Sequence, residues 1–292
     1  MAIKYSTPKE RVFDVVNIVV LLLFAAFTIL PFIYVLAASF ATESEIASRP
    51  FFLWPHDPTL ETYKYMFSTN TFIRSLLVTI GVTVVGTVIQ ITLTMLMAYP
   101  LANPNLVGKG VIMRLVLFAM LFSGGMIPLF LVVKELGLLD SYWALILPMA
   151  INPWNLIVIR TFFQQLPGEL REAAEIDGAN EFTTFWRIML PLSKPVIATF
   201  SLFYAVAIWN DFMSPLLYIS DNSKWTLQMF VRQVTISTDP STTIGNLDPN
   251  YVPPAEGLKF AVIVIATLPI MCVYPFLQKH FAKGVMIGSV KG

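Results

Sequence analysis

Glu172-Ala-Ala-Glu-Ile-Asp-Gly-Ala-Asn-Glu-Phe-Thr-Thr-Phe-Trp-Arg-Ile-Met-Leu-Pro191 is a polar island between two long apolar stretches. Outward from it the chain carries little charge. Uncharged runs occupy Val15–Phe40, Ser75–Ala102, Leu115–Val133, Ser141–Ile159, Pro195–Asn210 (continuing past Asp211 to Ser220) and Phe260–Gln278. Each suits the roughly 18 to 20 residues that cross a hydrocarbon core of about 30 Å. The whole chain is 56% apolar and only 13% charged, far from the soluble norm of about 25% charged. Its mean hydropathy is +0.71. Strand-like alternation over about ten residues is absent, which excludes a barrel. The expected fold is therefore an all-α membrane protein of six transmembrane helices, over about 15–40, 75–102, 112–133, 141–160, 195–220 and 258–278. The two longest runs read as tilted spans with interfacial ends. The first is too long for a signal-peptide core and lacks a small-residue cleavage site, so it is kept as a helix.

Orientation follows from Lys and Arg. Six spans put both termini on one side, with Lys4, Lys9, Arg11, Lys109, Arg114, Arg160, Arg171, Arg187, Lys194, Lys279, Lys283 and Lys291: twelve basic residues. The other side holds seven: Arg49, Lys64, Arg74, Lys134, Lys224, Arg232 and Lys259. The richer side is expected to be cytoplasmic, and with it residues 1–13, the island within loop 166–194, and the tail 283–292. The net charge of +1 gives no sign of nucleic-acid binding. A single cysteine, Cys272, permits no intrachain disulfide.

The island reads as two short helices. Pro167 and Glu169 suit a first turn, although Gly168 weakens it and moves the start a residue or two later. That helix runs through Glu172, Ala173, Ala174 and Ile176, past Asp177, and stops at Gly178, which takes the left-handed conformation. Asn180 caps a second helix from Glu181 to about Met189, and Pro191 turns the chain into span five. Ala173 and Ala174 leave a thin face for a partner, and Arg171 pairs with Glu175 at i,i+4. Such a rigid knob can transmit a partner's movement; the alternative is an amphipathic loop lying on the membrane.

Glu172-Ala173-Ala174, three residues, Gly178, nine residues, then Ile188-x-Leu190-Pro191 resembles the coupling motif of permease subunits of ATP-binding-cassette (ABC) importers. Further stretches are similar to the carbohydrate-importer branch, in particular to the smaller permease subunit of maltose-type importers and to Firmicute permeases paired with lipoprotein sugar receptors. These are Phe122-Ser-Gly-Gly-Met-Ile-Pro128, Asn155-Leu-Ile-Val-Ile-Arg-Thr-Phe-Phe163, Phe203-Tyr-Ala-Val-Ala-Ile-Trp-Asn-Asp-Phe212 and Lys283-Gly-Val-Met-Ile-Gly-Ser-Val-Lys-Gly292. The resemblance implies a type I ABC importer permease core of five helices plus one N-terminal helix, in a bacterial or archaeal cell membrane. It implies a second permease, an ATPase dimer, an extracytoplasmic solute-binding protein and a carbohydrate substrate. It also implies that Gly284, Gly288, Val290, Lys291 and Gly292 reach toward the ATPase.

The chain has no Gly-x-x-x-x-Gly-Lys-Ser/Thr loop, so no cofactor is expected here and ATP is expected on a separate subunit. His56 and His280 fall on opposite sides, so neither a metal site nor a nucleophile–base pair is expected, and the chain is not read as an enzyme. Counting 1.5 Å per residue from Pro195 puts Asn210 and Asp211 about 22–24 Å across span five. Trp209 offers a flat face of the kind that stacks on sugar rings, and Asn210 and Asp211 offer hydrogen bonds. The alternative for Asp211 is an outer vestibule or a bond to another helix. Gln90, Asn152 and Asn155 either face the pathway or join helices. Leu227, Phe230, Val231 and Val234 mark an interfacial helix, and Thr238–Pro254 reads as irregular loop. These outer loops either receive the binding protein or simply connect. An importer of a non-sugar solute, and a channel or assembly protein without an ATPase, remain the other readings.

Overall fold

The computed structural model describes residues 8–236 and 255–288. Among them all the regular structure is helical and there is no strand. The helices are α1 (Pro8–Ser39), α2 (Glu43–Ser48), α3 (Glu61–Ser68), α4 (Asn70–Ala102), α5 (Lys109–Leu121), α6 (Met126–Glu135), α7 (Trp143–Ile146) and α8 (Pro153–Gln165). After them come α9 (Glu169–Ile176), α10 (Glu181–Thr184), a π-helical segment (Phe185–Met189), α11 (Leu190–Leu192), α12 (Lys194–Trp209) and α13 (Met213–Tyr218). A 3-10 turn (Asn222–Lys224), α14 (Leu227–Ile236) and α15 (Ala255–Gly288) complete the order.

Among the described residues three helices are long and apolar enough to cross a membrane: Lys9–Ser39, Asn70–Ala102 and Glu256–Val273. The number rises to five if each of two bent pairs is one span, Lys109–Leu121 with Met126–Glu135 at 118° and Glu181–Leu192 with Lys194–Trp209 at 80°. The expected count of six continuous spans is thus not reproduced. Span three breaks at Phe122–Gly125, where Gly125 has φ +88. Span four divides into α7 and α8, because Asn152 caps a new helix by accepting from the Trp154 and Asn155 amides and Pro153 opens its first turn. Span five breaks at Asn210–Phe212, where Asp211 accepts from the Met213 and Ser214 amides.

The described residues fall into two compact units. One comprises the residues up to Asn70 with Gln233–Thr267. In it Ala37, Ala38, Ala41 and Phe52 form a small core against Tyr34, Ile46 and Phe260. Most of α1 is exposed and apolar all round, with Phe27 80% exposed, as suits a helix solvated by lipid.

The other unit, Thr71–Arg232 with the chain from Leu268 on, has two packed layers. Ile91, Met95, Ala98, Leu101, Leu156, Ile159, Phe163, Phe185, Met189 and Phe200 build the larger one from α4, α8, the π segment and α12. Val82, Val133, Ala144, Leu145, Ile146, Tyr218 and Ile219 build the second from α4, α6, α7 and α13. α14 departs from expectation. Leu227, Phe230 and Val234 are fully buried, Phe230 packs on Phe72 at 5.7 Å between ring centroids, and the Leu227 amide donates to Thr79 Oγ1 at 2.6 Å. Its apolar stripe is covered by protein, so lipid is not needed to cover it.

Asp140 ties two loops that the charge count puts on one side. Its amide donates to Tyr218 O at 2.8 Å. Its Oδ1 accepts from the Ser220 and Asp221 amides at 2.6 and 3.0 Å, while Lys224 Nζ donates to its carbonyl at 2.8 Å. With φ +57 it adopts a conformation that Asp tolerates better than most residues. The Asp221 amide first, then the Ser220 amide, hold its carboxyl below the usual carboxylate range against the opposing effect of burial. A depressed folded value means that this contribution is full above the ordinary value of about 3.9 and is lost as pH falls through the depressed one. Thermal unfolding between pH 3 and 6 checks this: Tm should fall more steeply on acidification for the wild type than for Asp140→Asn. Equal slopes would show that the clasp is not ionic.

Candidate functional site

The island folds as a two-helix knob. α9 starts at Glu169 and ends on Asp177, and Gly178 takes φ +77. The Ala179 amide donates to Ala174 O and the Gly178 amide to Glu175 O, the paired bonds of a Schellman closure. Asn180 Oδ1 then accepts from the Thr183 amide and caps α10. The second helix runs further than expected: the π segment carries it through to Leu192, and the turn into α12 comes at Ser193 rather than at Pro191. Glu172, Ala173, Asp177, Gly178 and Pro191 are exposed, and Ile188 and Leu190 are half-buried. Ala174 is buried, so the expected thin face shared with Ala173 is corrected. At successive positions of a helix, about 100° apart, one alanine points inward and the other outward. Ile176 and Phe182, 86% and 68% exposed, present apolar surface on the same knob.

A second correction concerns Arg171, which pairs with Glu181 of the next helix and not with Glu175. The Schellman turn brings Glu181 back over α9. Tyr99 Oη of α4 donates to the other oxygen of that carboxylate at 2.7 Å, and the Tyr99 ring packs on Phe163 and Phe185. Arg160 Nε donates to Leu101 O at 2.8 Å. The knob is thereby fastened to the end of α4 and to α8.

A cavity of about 550 Å³ opens where the three breaks meet. The α5–α6 break contributes Ser123 and Gly125, the α7–α8 break Asn152, and the α12–α13 break Asn210 and Asp211. Gln90 of α4, Asn155 of α8, Tyr204 of α12, and Ser214 and Tyr218 of α13 add to its polar lining. Thr94 Oγ1 donates to Gln90 O at 2.7 Å. With its one proton so used, it accepts from Tyr204 Oη, also at 2.7 Å. The Asn152 amide donates to that same hydroxyl at 3.4 Å. Tyr204 thus joins α4, α12 and the start of α8. Asn155, Asn210 and Asp211 are brought together here. Trp209 is not: it is 8% exposed and does not line the cavity, because it closes the last turn of α12 on the packed side. Irregular backbone at bilayer depth is tolerated where it lines a watery cavity or is covered by protein, and each of these breaks contributes to the cavity lining.

Residues 90–287 match the family of binding-protein-dependent transport system inner membrane components. This chain belongs to that family. Protein LplC of Bacillus subtilis (strain 168) is 64% identical over 288 residues, 99% of this chain and 98% of that one. The polygalacturonan/rhamnogalacturonan transport system permease protein YtcP of the same strain is 53% identical over 285 residues, 97% of this chain and 100% of that one. A crystal structure of a bacterial ABC transporter involved in the import of the acidic polysaccharide alginate matches with a TM-score of 0.88 at 29% identity, over 96% of this chain and 100% of that chain. As a member of this family the chain is a membrane transport permease and not itself a catalyst.

Within this permease, Gly284 and Gly288 fall in the last turns of α15, while Val290, Lys291 and Gly292 lie outside the described residues, as do Thr238–Pro254. Sequence reasoning missed Tyr99, Tyr204 and Ser123. Tyr99 carried no local signal, since Glu181 stands 82 residues away. Ser123-Gly124-Gly125 did carry one, a turn signal inside an apolar run.

Proposed function

We propose that this permease forms half of the translocation pathway of an ATP-driven importer of oligosaccharides, with a second homologous permease, an ATPase dimer and an extracytoplasmic solute-binding protein as its partners. The observation that carries this reading is the cavity: broken helices converge on a polar chamber lined by carboxamides and hydroxyls, in a family defined by binding-protein-dependent transport. The names of YtcP and of the alginate transporter support a saccharide cargo. Both termini and the Glu172–Pro191 knob are assigned to the cytoplasm. The knob, with Glu172, Ala173, Asp177 and Gly178 outward, receives the ATPase, and Ala174, Ile188, Leu190 and Pro191 seat it. Gly284, Gly288, Lys291 and Gly292 extend toward the same ATPase. Transport proceeds by alternating access. Closure of the ATPase dimer moves the knob, the cavity opens outward to take solute from its receptor, and hydrolysis resets it. ATP is bound by the partner, and this chain needs no cofactor.

Proteoliposomes holding this chain with a second permease, an ATPase and a solute-binding protein from the same cell test the reading. ATP-dependent accumulation of a labelled oligosaccharide is the expected result. Failure of an ATPase to co-purify, or accumulation that does not depend on ATP, would overturn it.

A further inference from the structure

The polar lining of the cavity is neutral except at one point. Gln90 and Asn155, 2% and 8% exposed, turn their side chains to it with no side-chain hydrogen bond to another described residue. Carboxamides donate and accept, as sugar hydroxyls do. Asp211 is the exception. Its Oδ1 accepts the Met213 and Ser214 amides at 3.0 and 3.1 Å, and it is the one acidic side chain among the described residues on the wall. Among the described residues no Lys, Arg or His lines the cavity. A cargo carboxylate placed against this wall would meet an acidic side chain and no basic one.

We propose that Asp211 is a specificity-determining residue that makes this half of the pathway select uncharged sugar faces over uronates. The proposal rests on reading the cavity as the saccharide pathway. It runs counter to the names of two relatives, since polygalacturonan and alginate are acidic. Asp211 has two roles, helix cap and wall charge, and one substitution separates them. In Asp211→Asn the side-chain carbonyl still caps α13, because Asn and Asp are equivalent N-caps, while the charge is gone. Asp211→Ala removes both.

The experiment compares tetragalacturonate with its fully methyl-esterified form, two probes with one skeleton and different charge. Each is measured for direct binding to the purified complex without receptor, and for ATP-driven uptake with it. The wild type should bind the ester at least tenfold more tightly than the free acid. Asp211→Asn should narrow that ratio at least fivefold by improving the acid, and Asp211→Ala should weaken both probes. A free acid bound as well as the ester by the wild type would overturn the proposal, as would a ratio unmoved in Asp211→Asn. Binding that discriminates by charge without ATP-driven uptake of either probe would sustain the selectivity and overturn the importer reading. Binding and uptake of no saccharide at all would overturn both.

Discussion

Replacing Gly178 with valine is expected to lower ATP-driven uptake at least tenfold while the complex still assembles in the membrane. A Cβ at Gly178 meets nothing within 4 Å, so the chain's own packing does not object to a side chain. Its backbone does. At φ +77 an L-residue carries a cost of about 1–2 kcal/mol, and a β-branched residue carries more. That cost falls on the Schellman closure, whose two bonds set the angle between α9 and α10. A loss of 1.4 kcal/mol corresponds to about tenfold in the population of the correctly shaped knob. Asparagine tolerates the left-handed region, so Gly178→Asn should keep most uptake although it is as bulky as valine. Comparing the two separates backbone shape from bulk at the ATPase contact. Equal loss in both would assign the effect to bulk, and full uptake in Gly178→Val would remove Gly178 from the coupling mechanism.

Glu181→Ala should produce the second large effect. One carboxylate holds both Arg171 of α9 and Tyr99 of α4, so its loss unfastens the knob from itself and from the span above it. Arg171 and Glu181 are 30% and 59% exposed, which limits their pairing to about 0.2–1 kcal/mol. The Tyr99 bond to a charged acceptor adds about 1–2 kcal/mol in a half-exposed setting. Even the lower ends of the two, about 1.2 kcal/mol together, approach tenfold in the fastened population. Uptake should fall by about that factor in Glu181→Ala and by less in Glu181→Gln, which keeps an acceptor for Tyr99. Tryptic cleavage at Arg171 should accelerate in the same order. Unchanged uptake in Glu181→Ala would show that the fastening does not carry the motion.

The helical class, the membrane setting and the shape of the island were legible because they rest on local signals. Long uncharged runs, Gly178 after an acidic helix and Asn180 before another each act within a few residues. The breaks were less legible. A hydropathy window averages over Ser123-Gly124-Gly125 and over Asn152-Pro153, so runs that look continuous conceal a change of direction. The Asn152-Pro153 pair was nonetheless a readable helix start, a cap followed by a first-turn proline. Asn210 and Asp211 were found as polar residues in a span, but their role as the end of one helix and the cap of the next was not. Trp209 shows the limit of such reading: neighbours in sequence on a helix point apart, and the ring beside Asp211 faces the packed side. Pairings across the fold, Arg171 with Glu181 and Tyr204 with Thr94, depend on turns and helix crossings that no local pattern states.

The break at Phe122–Gly125 bears on the life of the chain before it has partners. Leu121, Phe122, Met126 and Ile127 around it are 74, 64, 49 and 74% exposed, and a helix that stops frees carbonyls and amides of its flanking turns. Lipid cannot hydrogen-bond those groups. A newly inserted copy therefore displays at this point a surface that the bilayer solvates badly, and a neighbouring subunit or water must cover it. Such a surface is what membrane proteases and insertion chaperones discriminate by. Stoichiometry would then be enforced by turnover: copies made in excess of their partner should be degraded, with a half-life that lengthens when the second permease is co-expressed.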